Sequence, residues 1–368
     1  MSEAHAEYAP SSMYLTVACP GWREQSKLTP PEPLGEAARE GEAGHEIVAL
    51  AARCNGWTPS GRIIASNGVE ITDEMIDGAR LWVEALEGYP AHIETPIAIR
   101  RIHMTKCWGT PDARQWSPEA RTIRLADYKF GHEFVDEFEN WQMLAYVAGF
   151  IDEIGIDDRD TDVRIEMTIV QPRYYGVDPI RTWTITLPEF WPYLERMQAA
   201  VREAEGPNPR TMSGTHCTHC PARSTCKTLQ RTVHHAVDFG GRADPILLTP
   251  EQIGPELYLV REFIKRLEAR ETGLATLAET MIRQGARVPN FELEPTFGRL
   301  AWTVPLEVVE MTARLSGKSA LKPPELITPT QAKERKILDA RVISEYSDRP
   351  KTGFKLVPTS PKTARKFK

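Results

Sequence analysis

The stretch GTPDARQWSPEARTIRLADYKFG, residues 109–131, constrains this chain more than any other. Two runs with strand character flank a Ser117-Pro118 turn, which predicts a hairpin. Residues two apart on a strand project from one face, so Asp127 and Lys129 present a carboxylate and an ammonium side by side while Tyr128 turns away. The hairpin brings Asp112, on the preceding strand, beside Asp127. Two carboxylates that close are tolerable mainly when a divalent cation neutralises them. Mg²⁺ or Mn²⁺ suits such a pair, since one or two carboxylates, waters and a substrate phosphate complete its shell. Lys129 would then position or activate water and stabilise the crowded phosphorus, the chemistry of phosphodiester hydrolysis.

The hairpin sits within a longer alternation. Apolar residues at helical spacing predict helices over Leu34–Asn55 and Thr72–Glu87. Period-two patterning from His92 to Lys129 predicts a three-strand meander with arms Ile93–Arg100, Cys107–Ala113 and Thr122–Phe130. A helix over Asp136–Asp152, strands over Val163–Gln171 and Ile180–Leu187, and a helix over Pro188–Glu205 follow. The order is α, βββ, α, β, β, α, an α/β arrangement. Beyond a cysteine-rich segment, Val233–Asp244 reads as a linker. Thr249-Pro250-Glu251 then opens a long helix to Gln284 within a mainly helical C-terminal module, 245–348. That module adds a strand-like piece near Phe291 and helices over Leu306–Leu315 and Thr330–Tyr346. The tail, 349–368, is basic and carries no acid.

Upstream of the hairpin lies Gly41-Glu-Ala-Gly-His45, and downstream Gln142-Met-Leu-Ala-Tyr146, whose ends share a helix face. The succession GxxxH, GxxD, DxK, QxxxY resembles the RecB-like branch of the PD-(D/E)XK nucleases, over roughly residues 14–230. The resemblance implies a restriction-endonuclease-like core over 1–232, a mixed central sheet flanked by helices. It makes Asp112 and Asp127 metal carboxylates, Lys129 the catalytic lysine, and His45 a further metal ligand or phosphate contact. Gln142 and Tyr146 would shape the nucleic-acid and metal environment. Glu94, in HIETPIAI, matches a family acid less closely and is expected behind the ligands. Singly, each residue has an ordinary structural reading: a surface histidine, a solvated strand face, a packing tyrosine.

The six cysteines belong to a chain with no apolar run near the roughly 18 residues that cross a bilayer, and with no signal-peptide pattern. The expectation is a cytoplasmic protein without membrane contact, where cysteines serve metals more often than disulfides. Cys217, Cys220 and Cys226 cluster, and Cys19 in ACPGW is the candidate fourth ligand. Thiolates suit zinc and iron–sulfur clusters alike, and His216 or His219 could complete a Cys₃His zinc site. The split of one distal and three clustered cysteines resembles the iron–sulfur nucleases of the RecB-like group, which implies a [4Fe-4S] cluster that staples the chain ends.

Net charge is −6, so DNA contacts must come from local patches: Arg121 and Arg124 beside the hairpin, Arg223 and Lys227 after the cysteines. Trp108, Trp116 and Trp141 are candidates for base stacking, though large aromatics more often pack in cores. The chain, including VQPR at 170–173, also resembles a phage-encoded family of RecB-like proteins. That implies DNA, and phage replication or recombination proteins, as partners in replication, recombination or host DNA degradation. Three readings stand: a Mg²⁺- or Mn²⁺-dependent deoxyribonuclease, an exonuclease in the first instance; an inactive DNA-binding or scaffold subunit that keeps the fold; and a zinc-stapled structural protein with a coincidental DxK.

Overall fold

Proline placement decides how the expected meander forms. In the computed structural model, which describes residues 6–30, 35–54, 63–86, 92–240, 249–293 and Met311, the first two arms are cut short. Pro96 separates β1 (His92–Ile93) from β2 (Ile97–Ala98), and Pro111 separates β3 (Trp108–Gly109) from β4 (Ala113–Ser117). A proline offers no N–H to a ladder, so each arm changes partner there. β2 and β3 form their own two-stranded ribbon, while β1 pairs with β4. Only the third arm, β5 (Thr122–Tyr128), forms as one uninterrupted strand.

The main sheet has five strands in the order β1-β4-β5-β6-β7, with β6 at Arg164–Val170 and β7 at Ile180–Thr186. Only β5 and β6 run parallel. A parallel pair needs a crossover, supplied by α5 (Trp141–Ile154). Asn140 caps α5 by accepting from the Met143 N–H, and Gly155 ends it in the left-handed region at φ 67°. The helix starts later than Asp136, because the loop before it turns through Glu139 at φ 51°.

One sheet face, with Ile123, Leu125, Ile165, Met167 and Ile169, buries against α5 and α6 (Leu187–Ala204). The other, with Ala126, Tyr128 and Val170, buries against α3 (Glu36–Arg53) and α4 (Asp73–Ala85). The architecture is α/β, with a mixed central sheet flanked by helices. At the N-terminus α1 (Met13–Ala18) packs along α6, and α2 (Trp22–Ser26) meets the cysteine segment.

Beyond α6, the expected linker at 233–244 is helical through Gly240 as part of α7 (Lys227–Gly240), whose Leu229 is buried against Cys217 and Ala269. The long helix α8 (Pro250–Arg283) lies in the same compact unit as the sheet, Met1–Leu293, and packs on the cysteine segment. The strand-like piece near Phe291 is irregular. The expected helices at Leu306–Leu315 and Thr330–Tyr346 and the basic tail lie outside the described residues, Met311 excepted. Among the described residues no helix is long and apolar enough to cross a membrane.

Candidate metal centre

The β4–β5 ladder pairs Ala113 with Ala126, so one further step of register sets Asp112 opposite Asp127. Asp127 alternates with Ile123 and Leu125 and so lies on the face covered by α5, while Asp112 stands at the strand ends beside it. Asp112 is fastened there by the Tyr128 N–H, which donates to its Oδ2 at 2.7 Å. Lys129 stays in line because its own N–H donates to the Val170 carbonyl at 2.9 Å. Its ammonium lies 2.9 Å from Asp127 Oδ2, and Gln142 on α5 closes the triangle. Gln142 Nε2 donates to Asp127 Oδ1 at 2.8 Å, and its Oε1 accepts from Lys129 Nζ at 3.2 Å.

His45 arrives from the other side of the strand ends, on α3. A Cβ on Gly44 would sit 3.2 Å from the Phe130 ring, so a glycine there lets α3 approach the end of β5 closely. A Cβ on Gly41, the first letter of the GxxxH motif, would meet nothing within 4 Å. His45 Nδ1 lies 3.4 Å from Asp112 Oδ1 and 3.9 Å from Glu94 Oε1. Glu94 thus joins the cluster directly, where its sequence position suggested a supporting role. Its φ of 46° is uncommon for a residue with a side chain, and such strain is tolerated where surrounding bonds hold it. One of those bonds runs from the Glu94 N–H to the Asp112 carbonyl at 3.0 Å. His45, Glu94 and Asp112 each offer a ligand atom within 4.8 Å of the others.

Charges in the cluster shift one another. Burial raises Glu94, and repulsion from Asp112 adds to it; His45 and Arg53 pull back, leaving it at about 7. Burial disfavours charged His45, yet the Asp112 carboxylate, by charge and hydrogen bond, and Asp127 lift it to about 9. Burial would also raise Asp112, but His45, Lys129 and the Tyr128 N–H hold it below the ordinary carboxylate value. Asp127 goes the other way: burial and Asp112 raise it, and Lys129 only partly offsets them. Lys129 is raised despite burial, because both aspartates favour its charge. Two carboxylates and an imidazole crowded until one acid gives up its charge are a donor set that a divalent cation relieves.

Tyr146 bonds to no carboxylate of the cluster, but its buried hydroxyl stands near enough for Asp127, Asp112 and Glu94 to add to the upward shift that burial imposes on it. Its hydroxyl donates to the Thr110 carbonyl at 3.1 Å, and the ring is buried against the strand ends, so it holds the chain leading into Asp112. Arg121 and Arg124 do not flank the cluster. Arg121 is at the far end of β5, roughly 20 Å from Asp127 at about 3.3 Å per residue, and pairs with Asp160. Arg124 points to the opposite sheet face and pairs with Glu166 at 2.8 Å. Arg223 lines the cysteine pocket, and Lys227 begins α7. Trp116 and Trp141 pack against the core, while Trp108 stays 39% exposed.

Cys19, Cys217, Cys220 and Cys226 line one pocket that is partly open to solvent. The Met212 N–H donates to Cys19 Sγ at 3.3 Å and the Gly214 N–H to Cys217 Sγ at 3.4 Å. Burial raises the thiols of Cys19 and Cys217, and that of Cys220 to about 12. Of the two candidate histidines, His216 lines this same pocket and His219 pairs outside it. His216 Nε2 lies 3.0 Å from the Met212 carbonyl, and His219 Nε2 lies 3.1 Å from Glu133. Cys107 is buried apart, its thiol on the Tyr8 carbonyl, and Cys54 ends α3 on the surface.

No curated protein matches the chain. A family described as a protein of unknown function, DUF2800, matches residues 5–364, nearly the whole length, and the protein belongs to that family.

Proposed function

We propose that this protein is a Mg²⁺- or Mn²⁺-dependent deoxyribonuclease of the RecB-like PD-(D/E)XK type, acting as an exonuclease. One observation carries the reading: Asp112, Asp127 and Lys129 converge at the strand ends, with His45 and Glu94 brought to Asp112 from separate elements.

His45, Glu94 and Asp112 would hold the cation, with Asp127 beside them. A bound divalent cation supplies positive charge at the scissile phosphate and lowers the pKa of water. Lys129, kept protonated by the two aspartates, acts as a fixed positive charge toward the phosphate and its developing negative charge. Gln142 orients both Asp127 and Lys129, so their spacing does not depend on the substrate. Tyr146 fixes the approach to Asp112 through Thr110. The setting that follows from the resemblance is phage DNA replication, recombination or host DNA degradation.

The four cysteines are proposed to hold a [4Fe-4S] cluster with a structural role. Support comes from four thiols around one pocket and two N–H donors to sulfur, with His219 paired to Glu133 instead. A tetrahedral zinc with bonds of about 2.3 Å sets its sulfurs roughly 3.8 Å apart. Among the described residues, the one group of three ligand atoms within 4.8 Å of one another is His45, Glu94 and Asp112, so the thiols are spread more widely than a single zinc needs. Iron and acid-labile sulfide analysis of the purified protein separates cluster from zinc.

The nuclease reading is tested on end-labelled linear DNA with Mn²⁺ or Mg²⁺. Degradation by the protein, lost in Lys129→Ala, is expected. DNA binding without cleavage in both proteins would sink it and leave the scaffold reading.

A further inference from the structure

Helix α8 is a single helix of 34 residues, roughly 50 Å long. Its inward face is fully used. Ala269 is buried against Cys217 and Leu229, and a Cβ on Gly273 would meet Arg223 at 2.6 Å. The Arg270 guanidinium donates to the Arg223 and Ser224 carbonyls.

The opposite face is apolar and open. Ile253, Val260, Leu267, Leu274 and Met281 recur every seven residues, each between 37% and 48% exposed. Leu257, Ile264, Glu271 and Ala278 fall between them, so the spacing alternates four and three along the helix. That is a heptad seam with one polar position. At about 100° per residue, Ala269 stands some 200° round from Leu267, so the seam faces away from the packed side. A strict seven-residue repeat over four heptads, about eight helical turns, fits another helix, since only a supercoiled helical partner keeps such a stripe in contact along its length.

The sequence of the stripe specifies which helix. In a parallel, in-register pair Glu271 would face Glu271 of the partner subunit, two like charges inside the seam. In an antiparallel pair overlapping over the whole helix, Ile264 meets Leu267 of the partner subunit and Leu257 meets Leu274 of the partner subunit. Glu271 then lies against Val260 of the partner subunit, next to Arg261 of the partner subunit. Small Ala278 falls opposite large Ile253 of the partner subunit. On the flanks, Arg261 of each copy comes beside Glu268 of the other, and a two-fold axis makes that pair twice. Leu257, Ile264, Leu267 and Leu274 thus find large apolar counterparts, and each of these flanking charges finds its opposite.

We propose that α8 is a dimerisation helix, pairing antiparallel with α8 of a second copy of this chain through the stripe from Ile253 to Met281. The inference is independent of the nuclease reading. It uses only the outward face of α8, so the cysteine segment keeps its packing in the dimer.

The experiment is sedimentation or light scattering of the full-length protein at tens of micromolar, for the wild type, Ile264→Glu and Leu267→Glu. The expected result is a wild-type dimer and monomeric variants with unchanged helical circular dichroism, because both residues are exposed in the single chain. A monomeric wild type, with the stripe covered by some other part of its own chain, overturns the proposal. So does a dimer that survives both substitutions. Orientation is read from charge reversal: Arg261→Glu should raise the dimer dissociation constant by about tenfold, as two exposed ion pairs turn repulsive. Arg261→Glu with Glu268→Arg should restore it. Failure to restore overturns the antiparallel register, since in a parallel pair these two positions never meet.

Discussion

Asp112, one residue before β4, stands close enough to Asp127 on β5 to repel it, yet the two carboxyls are driven in opposite directions, Asp112 below and Asp127 above the ordinary value. The difference follows from their partners. His45 and a backbone N–H serve Asp112, whereas Asp127 is buried more completely and repelled by its neighbour, with Lys129 only partly compensating. Two like groups thereby acquire different tasks: Asp112 is the permanently ionised anchor, and Asp127 depends on the charge beside it.

That dependence makes Asp127→Asn a sharp test. The amide keeps the shape and still meets Gln142, but it removes the charge that holds Lys129. Cleavage of end-labelled DNA should fall by about a hundredfold or more, while DNA affinity changes only a few-fold. An activity within a factor of a few of wild type would show that this carboxylate is not part of the chemistry.

Stability of the metal-free protein should decline as pH rises from about 4.5 to about 9. His45 is raised from 6.5 to about 9, so its contribution is complete below 6.5 and is lost as pH passes about 9. Glu94 is raised from 4.5 to about 7, so its ionisation costs stability through about 7. Asp112, shifted downward, has the reverse sign, but its window lies below 3.8. A divalent cation favours ionised Glu94 and neutral His45, so Mn²⁺ affinity should increase across the same range and the thermal decline should flatten. Thermal melts at stepped pH, with and without Mn²⁺, measure both; a Mn²⁺ affinity indifferent to pH would rule out these ligands.

Tyr146→Phe removes one hydrogen bond and leaves the Thr110 carbonyl without it. Loss of about 1 kcal/mol of stability is expected. Because Tyr146 acts through the segment that carries Asp112, the variant should bind Mn²⁺ more weakly with its pH dependence unchanged. Denaturant melts and Mn²⁺ titrations separate this from a direct role in the reaction, which would reduce turnover and leave metal affinity intact.

Cys220→Ser should abolish bound iron and sulfide and bleach the visible absorbance. The site ties Cys19 to the segment from Cys217, so its loss should cost on the order of 4 kcal/mol, the scale of closing a loop of this length. Calorimetry of wild type and variant gives the figure directly. A colourless wild type containing zinc would instead assign the thiols to that metal.

The sequence made the centre of this molecule readable and its edges harder. Asp112, Asp127, Lys129 and Gln142 were legible because a strand fixes which residues share a face and α5 has clear signals at both ends. Glu94 reads in the sequence only as a supporting acid, since its place beside Asp112 depends on a left-handed backbone and a two-residue strand, neither of which has a periodic signature. Arg121 and Arg124 are near the aspartates along the chain but apart in space, because one strand separates its ends and its faces. The end of α7 reads as linker in the sequence although Leu229 and Val233 keep helical spacing, since His234 and His235 follow Val233 and interrupt the apolar pattern.

The pocket shared by Cys19 and Cys217–Cys226 also sets an order of assembly. The amino-terminal helices emerge from the ribosome long before the thiols that complete their seat, and Trp22 and Leu15 have no finished surface to cover until Cys220 and Ala222 arrive. During synthesis the leading segment must therefore remain unsettled, and a chain halted anywhere before the last of these cysteines would display that apolar patch to chaperones and proteases.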